Sequence, residues 1–213
     1  MAASTFDEQF EENGRAAVNR KTLLVLDAAT GFGASLAGKL RGQGHDVWTL
    51  QKKPDDSPSR WVSVDMLEPH QAVSAVAQWV AEGVAFNGVC SCARHNQVAE
   101  LGKLTLFDLQ AHATANVFGP LMLLLYLAEF DLLLPGARAV FCVGEDDGSV
   151  AYRTARRVLE PAVRTCLQGM DFPHNRYFVN LIGPGVVASG VALEHVRRLL
   201  VGELTPPTDT FSV

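Results

Sequence analysis

The stretch LLVLDAATGFGASLA, Leu23 to Ala37, decides the fold. Its apolar run stops at Asp27, a turn of small residues follows, and an amphipathic segment begins at Gly31. Strand, glycine turn and helix in that order open a nucleotide-binding α/β domain, in which the free N–H groups of the helix N-terminus can receive a diphosphate. Working outward, apolar runs and helical patterns alternate. Thr22–Leu26, Val47–Leu50, Trp61–Val64, Gly88–Cys92, Ala137–Val143 and Tyr177–Ile182 read as strands. Gly31–Gln43, Pro69–Glu82, Leu106–Leu134, Ala151–Met170 and Leu193–Val201 read as helices, with a bend at Gly119–Pro120 and a kink at Pro161. Such alternation predicts an α/β fold: a Rossmann-like, doubly wound parallel sheet between two helical layers, in a single domain. Right-handed crossovers put its ligand crevice at the carboxyl ends of the strands.

The length of 213 residues suits one domain spanning 21–213, preceded by a flexible arm over 1–20 with an acidic cluster at Asp7, Glu8, Glu11 and Glu12. Phe6 and Phe10 of the arm could dock on a partner. A net charge of −5 leaves no general phosphate-binding field, which argues against nucleic acid as a partner. The most apolar run, Val117–Ala128, is too short for a bilayer and contains Pro120, so it reads as a buried helix and no membrane is expected. Four cysteines lack disulfide-framework spacing and no secretory signal pattern precedes them, so a reducing, cytoplasmic setting is expected.

Taken together, these signals resemble the short-chain dehydrogenase/reductase family over roughly Thr22 to Val201. Thr30-Gly31-Phe32-Gly33 matches the end of that family's glycine turn. Asp65, in WVSVD, matches the aspartate that contacts adenine, and Asn116, in ANVFGP, the asparagine of the long fourth helix. Tyr152 opens the next helix, where the family places its catalytic tyrosine. Asn180 to Gly185, NLIGPG, matches the segment after strand six, and Ser189 stands where a threonine meets the nicotinamide carboxamide. The resemblance implies Tyr152 as acid/base, Asn116 as a relay or structural group, and Arg156 as electrostatic partner one helical turn on. It implies cofactor contacts from Asp27, Thr30, Gly31, Phe32, Gly33, Lys52, Asp65, Ala93, Arg94, Pro184, Gly185 and Ser189. Gln51-Lys52-Lys53 ends strand two without a carboxylate before Asp55. Two lysines suit a 2′-phosphate, so NADP is favoured over NAD, with a solvated basic loop as the equal alternative. A homo-oligomer through the Asn116–Leu134 and Tyr152–Met170 helices is also implied.

Departures from the pattern define the competing reading. Asp27 replaces the first glycine of the turn and brings a carboxylate toward a dianion, a conflict worth about 1–4 kcal/mol at a partly solvated site. Ser91-Cys92-Ala93-Arg94 replaces N-N-A-G; Arg94 there could block the groove or bind an anion. Val143 and Gly144 fall where the catalytic serine belongs, and Ser149 is too near Tyr152 to replace it directly. Arg156 replaces a lysine and is a poor proton relay, because guanidinium does not deprotonate near neutrality. The expected function is therefore an NADP-preferring oxidoreductase acting on a small carbonyl or alcohol. The alternatives are a non-catalytic scaffold that keeps the fold, has lost nicotinamide cofactor binding and uses its long helices to bind itself or a partner, or reuse of the crevice for another anion at Arg94. Cys90, Cys92 and His95 mix metal-ligand types, but Cys90 and Cys92 share one strand face opposite Ser91 and read as buried thiols, so no metal is expected. Asp146 and Asp147 read as exposed turn residues.

Overall fold

A computed structural model describes residues 20–28, 31–52, 60–93, 95, 101–142, 150–169, 178–182, 190–204 and 211–212. In chain order these form β1 (Thr22–Leu26), α1 (Gly31–Gly42), β2 (Asp46–Gln51), β3 (Trp61–Ser63), α2 (Pro69–Glu82), β4 (Phe86–Ser91), α3 (Leu106–Glu129), β5 (Leu133–Cys142), α4 (Val150–Gly169), β6 (Phe178–Ile182), α5 (Gly190–Leu200) and β7 (Phe211–Ser212). The sheet order is β3-β2-β1-β4-β5-β6-β7, with β7 alone antiparallel. The order reverses between β1 and β4, and that switch point opens a crevice beyond their carboxyl ends. The two-residue β7 carries no periodic signal and was absent from the sequence reading.

Alternation along β1 sorts the core into two layers. Leu24 and Leu26 join Trp48, Leu50, Trp79, Phe86 and the buried faces of α2, α3 and α4. Leu23 and Val25 join Leu36, Leu40, Cys90, Val140 and the buried faces of α1 and α5. Successive strand residues point to opposite faces, so one apolar run feeds both layers, as a sheet covered on both sides requires. Trp79 is the centre of the first layer, edge-on to both Trp48 and Phe86.

Two elements differ from the sequence reading. The helix expected to reach Leu134 stops at Glu129; the chain turns at Asp131 (φ 54°), and Leu133 opens β5 opposite Phe86. Leu132 to Leu134 is a short apolar run, which periodicity cannot divide between helix and strand. Pro120 does not end α3. A π-helical turn at Thr114–Phe118 precedes it, with the Gly119 N–H bonded to the Thr114 carbonyl. Pro120 has no N–H to offer the Asn116 carbonyl, and the wider turn takes up the mismatch. The resulting helix has 24 residues, long and apolar enough to cross a membrane by length and composition, but 61% of its apolar window is buried in the fold. It is a core helix, though not for want of length.

Candidate functional site

The turn after β1 has a backbone requirement that explains its residues. Asp27 adopts φ 57°, in the left-handed region, and its N–H donates to the Leu50 carbonyl at 2.7 Å. Glycine meets such a requirement without strain, and aspartate is among the few other residues that tolerate it. The substitution at the first turn position therefore keeps the backbone path. Gly31 is also left-handed, at φ 60°. Gly33 is fixed by space: a Cβ there would lie 2.4 Å from the Asp27 carbonyl oxygen. Phe32 turns away to pack on the α1–α5 layer.

Beyond the ends of β1, β2 and β4 lies a cavity of about 180 Å³, lined by Asp27, Gln51, Lys52, Asp65, Ala93 and His95 among others. Lys52 Nζ reaches the Asp65 Oδ2 at 2.7 Å. The second carboxylate oxygen accepts from the Leu67 N–H at 3.0 Å, and the Asp65 N–H donates to Gln71 Oε1 at 2.8 Å. Burial pushes the Asp65 carboxyl up, but the bonds from Lys52 and Leu67 outweigh it and hold the group below its ordinary range. Its bond to Asp65 raises Lys52 in turn. Asp65 is thus an oriented anion on the cavity wall. Gln51 is 2% exposed, and among the described residues neither its Oε1 nor its Nε2 has a hydrogen-bond partner. A buried amide with both ends unmet costs free energy unless something in the cavity meets it. Sequence reading noted Gln51 only as a missing carboxylate; no pattern could show that both ends of its amide are buried.

Asn116 sits in the π turn and holds the chain beyond β4. Its Oδ1 accepts from the His95 N–H at 2.7 Å, and its Nδ2 donates to the His95 carbonyl at 3.0 Å. Both ends of the amide are committed to the backbone, so Asn116 positions the loop. His95 lays its ring edge-on to His112 at 4.9 Å. Burial and the neighbouring His112 hold His95 below the ordinary histidine range, so it is neutral at pH 7. His95 stands at the cavity and is not grouped with the cysteines. The sulfurs of Cys90 and Cys92 gather instead with that of Cys142.

The remaining candidates are not brought together. Tyr152 is 2% exposed in the first turn of α4, Arg156 is half-buried one turn on, and neither lines the cavity. α4 packs there on the first half of α3 and its π turn. Thr30, Lys53, Arg94, Val143, Gly144, Asp146, Asp147, Ser149, Pro184, Gly185 and Ser189 lie outside the described residues, as do 1–19. Asn180 is described only as backbone in β6.

No family model matches this chain, and no curated protein matches it in sequence. Solved structures do match in shape. A short-chain alcohol dehydrogenase structure from Burkholderia multivorans superposes with a TM-score of 0.68 at 18% identity, covering 86% of this chain and 91% of its own. Ligand-free aldohexose dehydrogenase from Thermoplasma acidophilum gives 0.65 at 14%, covering 84% and 77%. BdcA in complex with NADPH gives 0.64 at 18%, covering 76% and 69%. The chain has the fold of the short-chain dehydrogenases/reductases.

Proposed function

We propose that this chain is an NADP(H)-preferring oxidoreductase of the short-chain dehydrogenase/reductase type, acting on a small carbonyl or alcohol. The observation that carries the cofactor half of this reading is the Gln51 amide, buried and unmet at the wall of a cavity beyond the sheet's switch point. The close approach of Gly33 to Asp27 keeps the turn compact where a diphosphate would lie. Similarity to the NADPH-bound BdcA fold supports the same placement. In this reading Asp65 and Gln51 hold the adenosine portion. Lys52 serves a 2′-phosphate: its side chain is 71% exposed, so solvent screens its ion pair with Asp65 and it exchanges partners readily. Gln51 is neutral and does not repel that phosphate. When bound, the cofactor supplies or accepts hydride. Asn116 holds the His95 segment against it, and Tyr152 moves the proton under the field of Arg156.

One observation favours a second reading, binding without turnover: the burial of Tyr152 away from the cavity. Titration with NADPH and NADH, followed by a carbonyl screen on wild type and Tyr152→Phe, separates the two. Micromolar NADPH binding with turnover lost in Tyr152→Phe supports the enzyme. Binding with no turnover in either supports the second reading, and no binding of either nucleotide sinks both. We also propose a homo-oligomer across α3 and α4, which leave Phe107, Phe118, Met122 and Val158 exposed. A monomer in light scattering refutes it.

A further inference from the structure

The register of β4 and β5 assembles a group that the sequence keeps 52 positions apart. Cys90 pairs with Val140, and the next pair is Ser91 with Phe141. Cys142 ends β5, and Cys92 follows directly on the last residue of β4. Side chains alternate along parallel strands, so Cys90, Cys92 and Cys142 all face the α1–α5 layer. Their sulfurs converge. Cys90 Sγ is 3.7 Å from Cys92 Sγ and 3.6 Å from Cys142 Sγ, and all three lie within 4.8 Å of one another.

We propose that Cys90, Cys92 and Cys142 form a three-thiolate site for a soft, closed-shell cation, Zn²⁺ or Cu⁺, at the base of the crevice. The spacing is that of a thiolate cation site. With a metal–sulfur bond of about 2.3 Å, the sulfur–sulfur edge is about 3.8 Å in a tetrahedral site and about 4.0 Å in a trigonal one. The two edges at Cys90, 3.7 and 3.6 Å, meet that spacing with shifts of tenths of an ångström. Thiolates are the ligands that select these cations over hard ones. Cys92 is the door, being the one member only half-buried. Zn²⁺ would add a fourth ligand from the crevice side; Cu⁺ would be complete with three.

A disulfide does not account for the trio. One disulfide would join two of the three sulfurs and leave the third without a role. Thiols become thiolates on coordination, so loading releases protons.

The test uses the whole protein, reduced and stripped with a chelator. Zn²⁺ and Cu⁺ are titrated separately against chromogenic competitors, and Co²⁺ absorption reports thiolate-to-metal charge transfer. One equivalent of either cation should bind, with proton release that calorimetry in buffers of different ionisation enthalpy reads out. Cys92→Ser and Cys142→Ser should each weaken binding by at least the roughly 10–100-fold that losing even an outer partner of a metal site costs, while Cys166→Ser, outside the trio, should leave it unchanged. Which cation binds more tightly distinguishes the two sources. Thermal unfolding of each variant without metal confirms that it is folded, and a metal-dependent rise in Tm in wild type alone gives an independent readout. Binding no tighter than that of the two serine variants overturns the proposal. So does a Cys92–Cys142 disulfide in unreduced protein with no cation uptake after reduction.

Discussion

Gly33→Ala tests the claim that the first turn is limited by space. The new Cβ would stand 2.4 Å from the Asp27 carbonyl oxygen and 3.1 Å from the Asp27 carbonyl carbon, both backbone atoms. No rotamer relieves that clash, because a methyl group has none. Either α1 moves away from β1 or the left-handed Asp27 changes conformation. Overpacking costs about 1–3 kcal/mol where side chains can yield, and backbone contacts belong at the upper end. The expected loss is therefore about 3 kcal/mol, which for a chain of this size lowers Tm by about 6–12 °C. Gly38→Ala is the internal control. It lies in the same helix with nothing within 4 Å of an added Cβ. Alanine there should stabilise by about 0.5–1 kcal/mol through helix propensity. Urea unfolding of both variants at one pH gives the two signs side by side. A Gly33→Ala protein within about 0.5 kcal/mol of wild type would refute the turn geometry.

Asn116→Ala removes both bonds to the His95 backbone and should cost about 1–3 kcal/mol; faster hydrogen exchange at the His95 amide checks that the loss is local. At the far end of the sheet, Arg197 bonds Glu194 and Glu203, and Lys39 joins Glu194 at 2.6 Å. The bonds from Arg197 and Lys39 hold Glu194 down at about 2, and Arg197 holds Glu203 below its ordinary range. Both carboxyls are depressed in the fold, so their contribution is complete above about 4.5 and is lost as the pH falls toward 2. Urea midpoints should drop over that window in wild type and drop less in the Glu194→Gln, Glu203→Gln double variant. Equal slopes would refute the assignment.

Much of the fold was legible because period-2 and period-3.6 patterns survive in it. Thr22–Leu26 and Pro69–Glu82 carry their bounds in plain view, the latter by a proline at its first turn and Gly83, left-handed at φ 65°, at its end. Leu132 to Leu134 was not legible, because three apolar residues fit a helix end and a strand start equally well. The candidate site was legible where a residue type carries its own requirement, as at Gly33. It was illegible where the meaning lies in a partner. Lys52 and Asp65 were read as separate contacts, yet they bond each other. Cys142 carried no signal at all, since its company depends on the register between β4 and β5. Asp27 is legible in the sequence as a cofactor contact and a charge conflict, while its left-handed conformation shows what the backbone asks of that position.

Asp27 lines the cavity, and a diphosphate beside its carboxylate meets a charge conflict of about 1–4 kcal/mol at a partly solvated site. Asp27→Asn keeps a side chain that tolerates the left-handed turn and removes the charge. It should bind NADPH roughly tenfold more tightly than wild type, the low end of that range, as titration of the two proteins side by side would read. An unchanged NADPH affinity would mean that the carboxylate never faced the diphosphate, and a weaker one that the carboxylate itself holds the cofactor.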